Sequence, residues 1–273
     1  MIFDCFMFFN EEELLEIRLN ELHKVVDKFV IVEAHQTFAG QDRELMFSRL
    51  PKSLIQKFED KIIYTAVQLP YGSENSQSAN RAREIAQRES IKRVLQKINV
   101  QDDDIVMVSD MDEIPAHEDI SRIQQGPGPY VFLHDAFYYY VNNRYIVNND
   151  DKWFGTAAFR WHQLKDIHPT HPRDLTFITE KRTAYERIKS GWHFSYLGGF
   201  EAVQKKILSF SAPQEWGHDG VMNLLESRLN KNEDLFGRSQ IKLQRIDLDE
   251  TNYPQHLIDN QEKFHHLILS KEG

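Results

Sequence analysis

The hydrophobic positions in the first half of the chain alternate between strand-like runs and helical spacing. Short, nearly continuous apolar runs are typical of strands buried in a parallel sheet. The predicted strands are the runs 2–9, 29–33, 62–67 and 105–109. One helix is predicted after the first strand, with Asn10 as its N-cap and apolar positions extending to Val26, and another over about 78–98. Strands separated by helices indicate right-handed crossovers, so the predicted class is α/β with a mainly parallel central sheet.

The second half of the chain is less regular. The segment Gly126-Pro127-Gly128-Pro129 predicts a turn and is too short to be a linker between domains. We therefore predict a single domain over residues 1–273, with a nucleotide-binding half to about residue 125 and an acceptor half from about residue 126. In this half, strands are expected over 130–133, 136–140 and 156–161, and helices near 201–209 and 218–230.

Composition and charge narrow the function classes. The chain is 41% hydrophobic and 27% charged, which is typical of a soluble globular enzyme. The net charge of −9 argues against a nucleic-acid partner, and the single Cys5 excludes an internal disulfide. No segment approaches the roughly 18 apolar residues of a membrane span, and the first residues lack the positive region of a signal peptide. These observations predict no membrane span and a cytoplasmic location.

Acidic residues follow the fourth predicted strand directly. Asp110, Asp112 and Glu113 stand where the run 105–109 ends, and Pro115 stops the strand pattern. Ligands usually bind at strand ends in open α/β sheets, and a turn here would aim both aspartates at one point. Converging carboxylates repel each other unless a cation lies between them, and Mg²⁺ and Mn²⁺ prefer oxygen ligands. The pattern therefore predicts a metal–diphosphate site; the alternative is a solvated acidic turn.

Four sequence blocks stand in a defined order along the chain: 29–40, 83–88, 109–115 and 191–195. The third contains an extended Asp-x-Asp-Glu-Ile-Pro motif, which is more specific than Asp-x-Asp alone. Together, over residues 1 to about 211, these blocks resemble the family-17 glycosyltransferases. The resemblance implies a GT-A-type (Rossmann-like) fold, a UDP-sugar donor with GlcNAc as the sugar, a Mn²⁺ or Mg²⁺ ion, and inverting transfer to a saccharide acceptor.

The resemblance also implies roles for residues within these blocks. Asp112 is expected to coordinate the metal directly, and Asp110 to reach the metal or the ribose. His193 is expected as a further metal ligand, although a histidine between apolar neighbours is more often a packed core residue. Glu33, at the end of the second strand, is expected to hydrogen-bond the nucleoside; the alternative is an ordinary strand-end carboxylate.

The leaving diphosphate and the attacking hydroxyl need partners as well. Arginine binds phosphate with a planar fork, so one or both of Arg83 and Arg88 are expected near the donor. The alternative is a solvated helix face with intrahelical ion pairs. Glu215 and Asp219 are the candidates for the base that takes the acceptor proton, with plain surface charge as the alternative reading.

Two other functions fit the same residues. Aspartate pairs at strand ends also serve metal-dependent phosphohydrolases and nucleotidyltransferases. A catalytically inactive module that binds a sugar nucleotide is the non-enzymatic alternative. Net sugar transfer, phosphate release without an acceptor, and binding without turnover distinguish the three.

Overall fold

The computed structural model describes residues 1–147, 152–165, 185–209, 219–249 and 252–271. Within these ranges, ten strands form one mixed sheet. The strands are β1 (Ile2–Phe8), β2 (Lys28–Ala34), β3 (Ile62–Val67), β4 (Ile105–Asp110), β5 (Glu113–Ile114), β6 (Tyr130–Tyr138), β7 (Asn143–Val147), β8 (Lys152–Arg160), β9 (Glu186–Ser195) and β10 (Ile241–Arg245). The helices are α1 (Glu12–Leu22), α2 (Lys52–Phe58), α3 (Gln77–Lys97), α4 (Ile120–Gln125), α5 (Trp161–Leu164), α6 (Gly199–Ser209), α7 (Asp219–Asn230) and α8 (Gln255–Asp259).

The first half of the sheet is parallel. Its strands run in the order β3-β2-β1-β4, with α1 between β1 and β2 and α3 between β3 and β4. Parallel strands covered by helices on both faces need nearly continuous apolar sequence, and β1, β2 and β4 are buried along almost their whole length. The predicted α/β class with a mainly parallel central sheet is therefore confirmed.

The second half of the sheet is mostly antiparallel. Strand β8 pairs antiparallel with β4, and β6, β7 and β10 continue the sheet outward. The two predicted strands at 130–133 and 136–140 form one continuous strand, β6, with shifts in its pairing register. Strand β9 pairs parallel with β6 and antiparallel with the short β5, which joins the two halves of the sheet beside the Asp-x-Asp motif.

Hydrophobic side chains pack on both faces of the sheet. Alternate residues of β1 face opposite sides, so Phe6 and Phe8 pack in the cluster that includes α1, whereas Phe3 and Cys5 pack in the cluster that includes α3. Both clusters are extensive, and the sheet lies between them. No helix in the described ranges combines the length and apolar character needed to cross a membrane.

The start of α1 differs from its prediction. The helix begins at Glu12 with Glu11 in the N-cap position, so the assignment of Asn10 as the cap is wrong. Instead, Glu11 Oε2 accepts hydrogen bonds from the backbone N–H groups of Phe9 and Asn10, at 3.2 and 3.0 Å. The carboxylate of Glu11 is thereby held at the carboxyl end of β1.

Candidate active site

The Asp-x-Asp motif lies at the carboxyl end of parallel strand β4. Asp110 is the last residue of β4 and Asp112 lies in the connection to β5. A cavity of about 320 Å³ opens at this edge of the sheet, where ligands bind in open α/β folds. Its charged and imidazole wall residues include Glu11, Arg88, Asp110, Asp112, His193 and Lys206. Three predicted metal ligands and one predicted phosphate partner therefore share one cavity wall.

A buried arginine holds the aspartate loop in place. Arg18, on α1, has no exposed side-chain area and pairs with Asp4 at 2.6 Å. Its Nη1 donates to three backbone carbonyl oxygens of the loop, those of Asp110, Met111 and Glu113, at 2.9, 3.1 and 3.0 Å. These three hydrogen bonds satisfy carbonyl oxygens of the loop and fix its conformation.

Glu113 organises the loop from its other side. Its buried carboxylate accepts the backbone N–H of Asp110 at 3.0 Å and the indole N–H of Trp153 at 2.8 Å. The Trp153 ring lies against His193, with ring centroids 4.4 Å apart. Glu113 therefore couples the position of Asp110 to that of the imidazole through one tryptophan.

Strand β9 brings His193 to the aspartates by pairing with β5, so that Glu113 lies opposite His193. Close approach requires Gly191, which has a φ of +77°. A Cβ at this position would lie 2.1 Å from the carbonyl oxygen of Ile114. The glycine is thus needed both for its left-handed backbone and for its missing side chain.

Asp112 is paired with a lysine from the second half of the chain. The Nζ of Lys206, on α6, lies 2.6 Å from Asp112 Oδ2, and His193 Nε2 lies 3.7 Å from the same oxygen. Burial raises the pKa of Asp112, but Lys206 and His193 lower it by more, so the pKa lies well below its usual range. Burial lowers the pKa of Lys206, and the Asp112 and Glu11 carboxylates raise it above its usual value. Both groups are therefore charged at neutral pH.

Asp110 is paired with Arg88. The Arg88 guanidinium lies 2.7 Å from Asp110 Oδ1 and 3.3 Å from Glu84 Oε1. Glu84 also pairs with Arg81 at 2.8 Å, so the intrahelical ion pairs of α3 are present as the alternative reading expected. However, Glu84 and Arg88 are buried and line the cavity. Arg88 thus lies where the phosphate-binding prediction needs it.

Glu33 is close to the cavity but not part of its wall. It has no exposed area, and its oxygens accept from Arg43 at 2.8 Å, from the backbone N–H of Met46 at 2.6 Å and from the Tyr64 hydroxyl at 2.9 Å. These contacts use the carboxylate to hold the loop after β2. Arg43, which Glu33 orients, is the residue of this pair that lines the cavity.

Arg83 is also placed away from the cavity wall. Its side chain has no exposed area and donates to the carbonyl oxygens of Phe38 at 2.8 Å, Pro70 at 3.1 Å and Gly72 at 2.8 Å. The guanidinium therefore ties the loop before α3 to the loop after β2. Arg83 therefore stabilises these two loops, whereas Arg88, on the same helix, lines the cavity.

Of the two base candidates from the sequence, only Asp219 lies among the described residues, and it does not line the cavity. Glu215 falls outside the described residues, and Asp219 is exposed at the first position of α7. Glu11 was not among the base candidates from the sequence, yet its carboxylate does line the cavity. Burial raises the pKa of Glu11 above its usual value. Its position after β1, next to β4 in the sheet, was the available signal.

Glu11 and Lys206 also border a second cavity. This space of about 460 Å³ lies against the start of α1 and includes Leu197 and Ala202 in its wall. Because both charged residues belong to the walls of both cavities, they stand where the two spaces approach each other. If each cavity held one molecule, the two molecules would approach each other beside Glu11 and Lys206.

The donor set matches the chemistry of a divalent cation. Asp110 and Asp112 offer oxygen and His193 offers nitrogen, which suit Mn²⁺ or Mg²⁺. The nitrogen of His193 that faces Asp112 is Nε2, whereas Nδ1 is buried with no hydrogen-bond partner among the described residues. The ligand atoms of these three residues do not all lie within 4.8 Å of one another, and Lys206 already occupies Asp112 Oδ2, so the side chains have to rearrange before an ion can bind.

Elsewhere in the described part of the chain, a cluster of acidic and histidine side chains places three possible metal-ligand atoms close together. Atoms of Glu21, His117 and Glu118 lie within 4.8 Å of one another. Here Glu21 Oε1 accepts the backbone N–H of His117 at 3.0 Å and contacts its ring Nδ1 at 2.8 Å. These hydrogen bonds account for the arrangement, and the group does not line the Asp110–Asp112 cavity.

Solved structures with a similar fold are distant. Glucosyl-3-phosphoglycerate synthase from Mycobacterium tuberculosis is 12% identical with a TM-score of 0.41, and the match covers 94% of this chain and 91% of that one. 4-Diphosphocytidyl-2C-methyl-D-erythritol synthase is 13% identical with a TM-score of 0.36, covering 69% of this chain and 89% of that one. Similarity at this level does not identify a function.

Sequence relatives are more informative. The beta-1,4-mannosyl-glycoprotein 4-beta-N-acetylglucosaminyltransferases of Homo sapiens and Rattus norvegicus are each 24% identical, over 290 and 291 residues. Each match covers 95% of this chain and 53% of the relative, so the chain spans about half the length of these relatives. The model of the family described as glycosyltransferase family 17 matches residues 1–227. A match over so much of the sequence shows that this chain belongs to glycosyltransferase family 17.

Proposed function

We propose that this protein transfers GlcNAc from UDP-GlcNAc to a saccharide acceptor, with inversion at the anomeric carbon and with a divalent metal. The observation that carries the proposal is the charged cavity at the end of β4, which combines Asp110, Asp112 and His193 with the cations of Arg88 and Lys206. A diphosphate needs such positive charge, and a metal needs such ligands. Family membership supports sugar transfer, and the names of the relatives support GlcNAc as the sugar.

The chain's own residues would bind and orient the donor. Asp110, Asp112 and His193 would hold the metal, which when bound supplies Lewis acidity to the departing diphosphate. Arg88 holds the Asp110 carboxylate at 2.7 Å, so the aspartate keeps one orientation. Trp153 covers the face of His193 and limits the access of water to the imidazole.

The acceptor hydroxyl needs a base on the side opposite the diphosphate. We infer that Glu11 takes this proton, because it is a carboxylate in the walls of both cavities. Its hydrogen bonds from the N–H groups of Phe9 and Asn10 fix the orientation of the carboxylate. Its raised pKa brings it closer to neutral pH, where a general base is more effective. The second cavity would then admit the acceptor sugar.

Product analysis tests the proposed function. The protein is incubated with Mn²⁺, UDP-GlcNAc and a panel of glycans, and the products are separated and examined by NMR. A new β-linked GlcNAc on an acceptor is the expected result. Release of phosphate, or of UMP and GlcNAc 1-phosphate, without an acceptor product would instead favour a phosphohydrolase, and tight UDP-GlcNAc binding without any turnover would favour an inactive binding module.

The matched control for this assay is Asp103→Asn. Asp103 is an exposed carboxylate just before β4 and lies outside the cavity wall. The Asp103→Asn variant should transfer GlcNAc at the wild-type rate, whereas the Asp112→Asn variant should transfer none. The cytoplasmic location and the single-domain organisation stay predictions from the sequence.

A further inference from the structure

We propose that Lys206 is an exchangeable counterion: a divalent metal displaces it from Asp112, and the displaced ammonium then binds the diphosphate of the donor. This inference rests on the proposed nucleotide-sugar function and adds a residue to it. Its starting point is the contact of 2.6 Å between Lys206 Nζ and Asp112 Oδ2, which occupies the carboxylate that a metal needs.

Each aspartate of the motif already has a cation from this chain. Arg88 lies 2.7 Å from Asp110, and Lys206 lies 2.6 Å from Asp112. The two cations differ in how firmly they are held. Arg88 is anchored a second time by Glu84, whereas the hydrogen bonds of Lys206 in the described part of the chain go to Asp112 alone. Lys206 is therefore the cation that can leave.

The surroundings of Lys206 allow it to move without leaving the site. Its side chain is 20% exposed and lies in the walls of both cavities. Its ammonium is 5.4 Å from the centre of the Tyr196 ring, a contact that tolerates small shifts. A lysine also carries its charge on a flexible four-carbon stem, so the ammonium can change partners while α6 stays in place.

The charges in the site favour binding of the metal together with a diphosphate over binding of the metal alone. A metal that enters alone must displace an ammonium and then sit beside it, with no new anion to compensate the repulsion. A diphosphate removes this difficulty, because it supplies negative charge to both the metal and the freed Lys206. Metal and UDP should therefore bind with positive coupling, and by linkage each should increase the affinity for the other by the same factor.

The test compares Lys206→Met with wild type in two binding measurements that need no turnover. Free Mn²⁺ is followed by electron paramagnetic resonance, and UDP binding at saturating Mn²⁺ by calorimetry. Without the competing ammonium, Mn²⁺ alone should bind Lys206→Met about tenfold or more tightly than wild type. UDP should bind the same variant about tenfold less tightly, since the phosphate partner is lost.

Two further variants serve as controls. Lys206→Arg keeps the positive charge but holds the Asp112 carboxylate with a rigid planar fork, so this variant should bind Mn²⁺ alone no more tightly than wild type. Lys205→Met removes the same charge from an exposed neighbour on α6 and should change neither affinity by more than about twofold. If Lys206→Met binds Mn²⁺ no more tightly than wild type, or binds UDP as well as wild type, the exchange is overturned.

Lysine labelling tests the proposal in the unaltered protein. Acetic anhydride followed by peptide mass spectrometry should modify Lys206 slowly in the free protein, faster after Mn²⁺ is added, and slowly again once UDP is added. If Mn²⁺ does not change the rate at which Lys206 is acetylated, the exchange is also overturned. If neither Mn²⁺ nor UDP binds the wild-type protein, the proposed function itself fails, and this outcome is distinct from the other two.

Discussion

Arg18 and Asp4 form an ion pair that is closed to solvent on both sides, with Nη2 2.6 Å from Oδ1 and no exposed area on either side chain. The same guanidinium binds the carbonyl oxygens of the loop that carries Asp112. The pair therefore links the interior of β1 to the candidate metal ligands. A charged pair in this position is costly to bury, and the hydrogen bonds from Arg18 to the loop carbonyls offset part of that cost.

Arg18→Met should strongly destabilise the protein, because it leaves the Asp4 carboxylate buried without a partner. We expect the free energy of unfolding to fall by about 3–5 kcal/mol, measured by urea denaturation. Arg122→Met is the matched control, since Arg122 and Asp119 form an exposed pair, and it should cost less than about 1 kcal/mol. Equal losses in the two variants would show that burial of the Arg18 pair has no special effect.

Asp112→Asn should abolish transfer while the protein stays folded. The amide keeps the shape of the side chain but removes the charge that would attract a metal. EDTA should likewise stop the reaction of the wild-type protein, and added Mn²⁺ should restore it. Transfer rates from radiolabelled UDP-GlcNAc, with circular dichroism as a check on folding, measure both effects. Full activity in a sample verified to be metal-free would contradict the metal role.

Glu11→Gln should lower kcat by roughly 10²- to 10⁴-fold with little change in UDP affinity, because a general base acts on the acceptor and not on the donor. Burial raises the pKa of Glu11, so the wild-type rate should fall on the acid side at a pH above the usual carboxylate range. This acid limb should disappear in Glu11→Gln. Asp219→Asn is the comparison, and a larger loss in that variant would return the role of base to Asp219.

Stability should fall in acid because of a neutral histidine in the core. Burial lowers the pKa of His134 from 6.5 to about 3. The Nδ1–H of His134 donates to the Ser190 carbonyl oxygen at 2.6 Å, and Nε2 accepts the backbone N–H of Thr156 at 3.2 Å, so protonation would place two donors face to face. Below pH 6.5 the unfolded chain binds a proton that the folded chain does not, and stability is lost as the pH falls towards 3.

The contribution of His134 is isolated by His134→Gln, studied by urea denaturation between pH 4 and 7. The variant should be less stable at pH 7 by about 1–3 kcal/mol, because a buried hydrogen bond is weakened. It should also lack about 3 kcal/mol of the pH dependence seen in wild type by pH 4. His162→Gln, at an exposed histidine, should keep the wild-type dependence. Parallel curves for wild type and His134→Gln would exclude His134 as the cause.

Several elements could be predicted because their pattern is local. Strands β1, β2 and β4 are buried on both faces, so burial requires the nearly continuous apolar runs that the sequence displays. In the described part of the sheet, β7 pairs with β6 and β10, and β10 pairs with β7. Most positions of these two strands are half-buried or exposed, so their pattern is weak. Residues 191–195 stand out as a motif, but neither strand β9 nor its pairing with β5 could be predicted from the sequence.

The sequence by itself determined the α/β class, with strands and helices alternating along the chain and a mainly parallel sheet. It also determined that Asp110 and Asp112 stand at the end of a strand. These features depend on neighbours along the chain, which a pattern of residues displays directly. Only the tertiary structure decided that Lys206 contacts Asp112, 94 residues away in the sequence. It also decided that Arg18 binds loop carbonyls 92 to 95 residues away. Finally, it decided that Arg88 lines the cavity and Arg83 does not. Such contacts depend on how the elements pack, and charged residues carry no periodic signal that tells a buried partner from a solvated one.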